Sequence, residues 1–175
     1  MESRASIMKP LLGLALSIIT WPALADCLPP EQWARTFQQT HADFHWNPDR
    51  HDPSLYTPGF DAALRQEWAY AKGEVGHLDY DPWLGAQDGD MAATPLFDAE
   101  SAPEDTAIVA MRYPFVLEPG GPQVQQTVHL ILKRQGPQCW RLDDFITPLG
   151  ESLRRIYSCL LYTSPSPRTE ADIVC

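Results

Sequence analysis

Basic residues are scarce in this chain: 13 Lys and Arg stand against 23 Asp and Glu in 175 residues, a formal net charge of −10. Binding to nucleic acid or to an anionic membrane surface needs clustered cations, so this composition argues against both as partners. Long apolar runs are rare as well. The one near the start, residues 11–19, falls short of the about 20 residues that a bilayer-spanning helix requires. Several catalytic signatures are also missing. There is no Gly-x-Ser-x-Gly elbow of a serine hydrolase, no His-Glu-x-x-His zinc helix, no Cys-x-x-Cys redox pair and no glycine loop to cradle a phosphate.

The two ends carry signals of their own. Arg4 and Lys9 supply a basic start, residues 11–19 an apolar run, and Ala23-Leu24-Ala25 a small-x-small cleavage site, so residues 1–25 read as a secretory signal peptide. Met8, followed by Lys9, offers a second start. Asp26 stands directly before Cys27, where lipid attachment wants a small residue, so the reading is a soluble periplasmic or secreted protein. At the far end, residues 159–168 resemble a translated sequencing adapter of the kind that recurs behind unrelated metagenomic genes. Residues 159–175 are therefore read as an artefactual, disordered tail and set aside. One domain over residues 26–158 remains, and it keeps two cysteines, Cys27 and Cys139. In an oxidising compartment such a pair is expected to bond, closing a loop of roughly 110 residues worth several kcal/mol in the chain-entropy picture.

Taken in order, Pro29-Pro30-Glu31 opens a helix, and Trp33, Phe37, Thr40 and Phe44 recur along one face until Pro48 stops it. His41 and His45, four apart, share a helical face. With His51 they make a conceivable zinc site, against the plainer reading of histidines beside an apolar stripe. Thr57-Pro58 caps a second helix with Phe60, Leu64, Trp68 and Ala71 inward and Gly73 at its end. Glu67 borders that stripe, solvated in one reading and a raised-pKa acid inside a cavity in the other. Three strands of an antiparallel meander follow. The first, 106–118, is almost continuously apolar, and its Pro114 argues for an edge position or a bulge. The second turns Val124, Val128, Leu130 and Leu132 inward, and Gln126 among them is a polar candidate for lining a pocket. The third is 139–146, reached through Gln135-Gly136-Pro137. A short helix begins near Gly150.

The least regular stretch, residues 73–90, concentrates acids, glycines, His77 and Trp83. Asp81-Pro82 reads as a one-turn helix start that turns Trp83 and Leu84 toward the core, and Asp88-Gly89 as a turn. A calcium loop built from Asp79, Asp81, Asp88 and Asp90 is the sharper alternative, although the spacing does not fit an EF-hand. His77, Asp79 and Tyr80 are left without a structural explanation, and they head the candidate site together with Trp83 and Gln126.

The assembled pattern is α+β, with N-terminal helices packed on a curved antiparallel sheet. It resembles the cystatin-like cone of nuclear-transport-factor-2-like and SnoaL-like domains. More narrowly, Leu78-Asp79-Tyr80-Asp81-Pro82 with Gln87-Asp88, the run from Trp140 through Asp143 and Asp144 to Phe145, and Ser152-Leu153-Arg154 resemble the bacterial exported family labelled domain of unknown function 3828. That resemblance implies a periplasmic or lipid-anchored cone without an established reaction; no cofactor is expected. The function expected is a non-catalytic module binding a small ligand or a periplasmic protein. The alternatives are an envelope-complex or immunity-type interaction protein, or a small acid–base enzyme using His77, Asp79 and Tyr80.

Overall fold

The computed structural model describes residues 27–100, 102–103, 105–135 and 138–158. The expected leader (1–25), the tail (159–175) and Gly136-Pro137 of the expected turn lie outside the described residues. No helix among those described is long and apolar enough to cross a membrane.

Helix α1 (Pro30–Thr40) starts with proline at its first position and buries Trp33, Ala34 and Phe37. It ends earlier than the apolar spacing predicts. His41 closes it with a backbone bond to the Phe37 carbonyl, and Phe44 reaches the core from the turn that follows. Two short 3-10 turns (Pro48–Arg50, Pro53–Leu55) lead to helix α2 (Pro58–Ala71), which buries Phe60, Ala63, Leu64 and Glu67. Thr57 sits at the expected cap position, but its hydroxyl donates to Asp143 (2.7 Å) and leaves the helix amides alone.

The sheet is a curled antiparallel half-barrel of five strands: β1 (Asp90–Met91), β2 (Leu96–Glu100), β3 (Thr106–Val116), β4 (Val124–Gln135) and β5 (Gln138–Ile146). β3 lies between β4 on one side and both β1 and β2 on the other. Pro114 is therefore not on an edge. Its carbonyl accepts from Ala92, and since both polar groups of an antiparallel residue face the same neighbour, the amide it lacks faces that side too. There the pairing stops after Ala92 and resumes at Leu96, so β1 and β2 are separate strands and Pro114 stands where the ladder breaks.

β5 carries a bulge. Ile131 pairs with Asp144 and Leu132 with Leu142, so Asp143 is the extra residue. The insertion shifts the two-residue period, which lets Leu142 and Phe145 both face the core. Asp143, turned out of the ladder, takes Thr57, Arg154 (2.8 Å) and Lys133 (3.4 Å), and Asp144 accepts from Ser152 (2.5 Å) and the Arg154 amide (3.0 Å). Between them the two aspartates fasten the start of α2 and the start of helix α3 (Leu153–Ser158) to β5.

The concave side is filled by rings. Phe37, Phe44, Tyr56, Phe60, Trp83 and Phe145 stand with neighbouring centroids between 4.7 and 6.5 Å apart. Val124, expected inward, is exposed, and the buried side of β4 begins at Val128. Cys27 and Cys139 are free thiols, so the expected disulfide is not formed. A hydrogen bond with Cys27, followed by burial, raises the pKa of the Cys139 thiol.

Candidate functional site

The site is built where α2 ends. Lys72 takes the left-handed conformation (φ 52°), its amide bonds to the Trp68 carbonyl, and Gly73 (φ 86°) turns the chain back along the helix. Gly76 then passes directly over Glu67, where a Cβ would lie 1.9 Å from Oε1. Only glycine permits that approach. It allows one carboxylate, 5% exposed, to accept the backbone amide of His77 (2.7 Å) at Oε1 and the His77 ring Nδ1 at Oε2. A buried carboxylate needs such partners, and facing it, Nδ1 carries the proton. The ring is stacked on Tyr70 at 4.1 Å, and Nε2 has no hydrogen-bond partner among the described residues.

Between this loop and the segment at 45–48 runs a groove in two adjoining parts. A cleft of ≈ 440 Å³ includes Trp46, Trp68, Val75, Leu78, Glu67 and Tyr157 among its walls. A more open hollow of ≈ 600 Å³ shares Trp46, Val75 and Leu78 and adds Asp79 and Tyr80. The walls are apolar and uncovered: Trp46 is 64% and Val75 73% exposed. The floor holds two polar groups without partners. His45 Nδ1 is buried and unbonded, and burial, slightly offset by Asp43, lowers the pKa of this imidazole to about 4 and keeps it neutral. Tyr157 is 1% exposed, and its hydroxyl makes no hydrogen bond among the described residues. Burial, and then the nearby Glu67 and Tyr80, raise its pKa far above the usual phenol range, so it remains an O–H donor.

Of the residues expected from sequence, Asp79 and Tyr80 do line this groove. His77 stands behind it, held by Glu67, and the hydroxyl of Tyr80 donates to Glu151 and approaches Thr147 Oγ1 at 3.5 Å. Burial and Glu151 push Tyr80 up to about 12. Trp83 belongs to the core: it is 3% exposed, and its indole N–H donates to the Ala42 carbonyl (2.8 Å). Asp81 and Pro82 start a closed turn in place of the expected helix. Asp81 Oδ1 accepts the Trp83 amide, and its backbone pairs with Ala86. Gln126, opposite Tyr113 on β4, lines neither part of the groove.

No three His, Cys, Asp or Glu converge on a metal position among the described residues. Asp88 and Asp90 line a separate hollow beside Val116, and Asp90 caps the Met91 amide. His41 stacks on Phe37, His45 lies in the groove and His51 pairs with Asp61 (2.5 Å). Sequence reasoning missed the groove residues Trp46, Val75 and Tyr157. The available signal was Trp46 and Val75 themselves, bulky apolar residues in segments without a period. Comparison of the chain with protein-family models, curated proteins and solved structures found no match.

Proposed function

We propose that the protein is a non-catalytic binding module that holds a small ligand in the groove between residues 45–48 and 73–81. The observation that supports this reading is the combination of uncovered apolar walls, Trp46 and Val75, with two unpartnered polar groups beneath them, the Tyr157 hydroxyl and His45 Nδ1. Ligand sites are largely apolar hollows of this size with a few convergent polar groups, and an unbonded buried polar group gains most from a ligand that completes it. The same reading takes the domain to be an exported cone of the family it resembles.

The test is a thermal-shift and calorimetric screen of small amphipathic molecules against the mature protein, Trp46→Ala and Tyr157→Phe. A ligand should raise the melting temperature of the wild type, and both variants should stay folded and lose that rise. Ligands that stabilise Trp46→Ala as fully as the wild type would remove the groove from consideration. A second reading, a small acid–base enzyme, is favoured by one feature: Glu67 orients His77 and leaves Nε2 unpartnered, as a general base requires. It requires that His77→Ala abolish a turnover that Trp46→Ala only weakens.

A further inference from the structure

We propose that the ligand of the groove is an organic cation: a primary amine or guanidinium carried on an aromatic or alkyl body. The proposal rests on the groove being a binding site and specifies what that site selects.

Charge is the first argument. Glu67 and Glu74 line the inner cleft, and Glu74, Asp79 and Asp81 the outer hollow, while neither part is lined by any Lys or Arg. The nearby cation Arg50 is engaged by Asp43 (3.1 Å) and the Thr40 carbonyl (3.1 Å), away from the groove. Carboxylates on low-dielectric walls focus a negative potential inside a cleft, which repels anionic ligands and concentrates cations. His45 adds no positive charge near neutral pH because it is buried in its neutral form.

The second argument is independent of the acids. Tyr157, almost wholly buried, lines the inner cleft with a hydroxyl that has no hydrogen-bond partner among the described residues, and its oxygen can accept from an ammonium or guanidinium N–H. The aromatic walls suit the same chemistry. Trp68 is fixed by its indole bond to the His45 carbonyl (3.0 Å), and the uncovered Trp46 lines the same cleft, so indole rings as well as carboxylates are available to a cation there. An apolar body attached to the cation would cover Val75 and Leu78, which line both parts.

The source of the cation is either a free amine or the basic side chain of a peptide, and probes separate them. The wild-type protein is titrated calorimetrically with phenethylamine, 2-phenylethanol and phenylacetate, and with the capped dipeptide amide of Phe and Arg. Phenethylamine should bind at least about tenfold more tightly than the alcohol, a preference that shrinks when salt is raised toward about 0.5 M, and phenylacetate should bind more weakly than either. Glu74→Gln, at an exposed position, should cost the amine about threefold or more and leave the alcohol unchanged. The dipeptide binding more tightly than phenethylamine assigns the cation to a peptide side chain, and the reverse assigns it to a free amine. Equal affinity for amine and alcohol, abolished by Trp46→Ala, overturns the cation proposal and keeps the groove. Failure of all four probes to bind overturns both.

Discussion

Helix α2 holds a histidine with a carboxylate at each end, and the two arrangements differ in a telling way. Near its start, Asp61 accepts from His51 Nε2 (2.5 Å) and shares itself with Arg65 (2.9 Å). His51 is shut between Tyr56, stacked at 5.0 Å, and Trp68, edge-on at 4.9 Å, and its Nδ1 is sealed without a partner. Near the end, Glu67 is the buried member. It takes two bonds from His77 and leaves Nε2 of that ring unpartnered. The first pair closes a surface, whereas the second holds open the loop that forms a groove wall. The same two residue types serve packing in one place and presentation in the other, and the difference lies in which partner is buried.

The largest effect should come from breaking the second arrangement. Gly76→Ala forces a methyl against Glu67 Oε1 and separates the carboxylate from His77, leaving a buried charge poorly paired. A loss of about 2 to 4 kcal/mol in urea unfolding is expected, with reduced hydrogen-exchange protection at the His77 amide. If the amide stays protected, the loop is held by something other than Glu67.

Acidification should come next. Burial lowers the pKa of His45 from 6.5 to about 4, so the unfolded chain takes up a proton before the folded one does. The stabilisation due to the neutral buried ring is therefore complete above pH about 6.5, falls as pH drops from there toward 4, and amounts to roughly 3 kcal/mol. His45→Gln should flatten the stability profile across that window. A wild-type profile equally flat would contradict the burial argument.

The smallest effects belong to the first pair. Burial opposes ionisation of Asp61, but hydrogen bonds from Arg65 and His51 outweigh it and hold its pKa below 3.8. Its contribution is present above that value and disappears as pH falls through the folded one. Asp61→Asn should cost about 1 kcal/mol at neutral pH and Arg65→Ala only a few tenths, because the arginine is exposed. Should Asp61→Asn prove as damaging as Gly76→Ala, the contrast between the two ends of the helix would collapse.

Much of the scaffold was legible in the sequence because it rests on period and punctuation. The helix starts at Pro30 and Pro58 and the three long strands all follow from apolar spacing and turn residues. Long-range partners were less legible. Nothing local to Thr57 announces that its hydroxyl serves Asp143, and β1 and β2 are too short to show a two-residue period. The bulge did leave a trace. Leu142 and Phe145 are three apart in a strand, so both can be buried only if a residue is inserted. At the site, Glu67 and His77 each stood out separately, but their pairing depends on how the chain reverses after α2, and Gly76 marked the close approach only once its neighbour was known.

Pro114 has a consequence for the molecule among its own copies. By interrupting the ladder it divides the strands beside β3 into runs of two and five residues, Asp90–Met91 and Leu96–Glu100. A continuous strand there would offer a row of free amides and carbonyls, a template on which another chain could stack. The break shortens that template, and Asp98 and Glu100 at its outer part carry charge against a like neighbour. One missing amide proton in the middle of the sheet thus acts at its margin, as a deterrent to edge-to-edge aggregation.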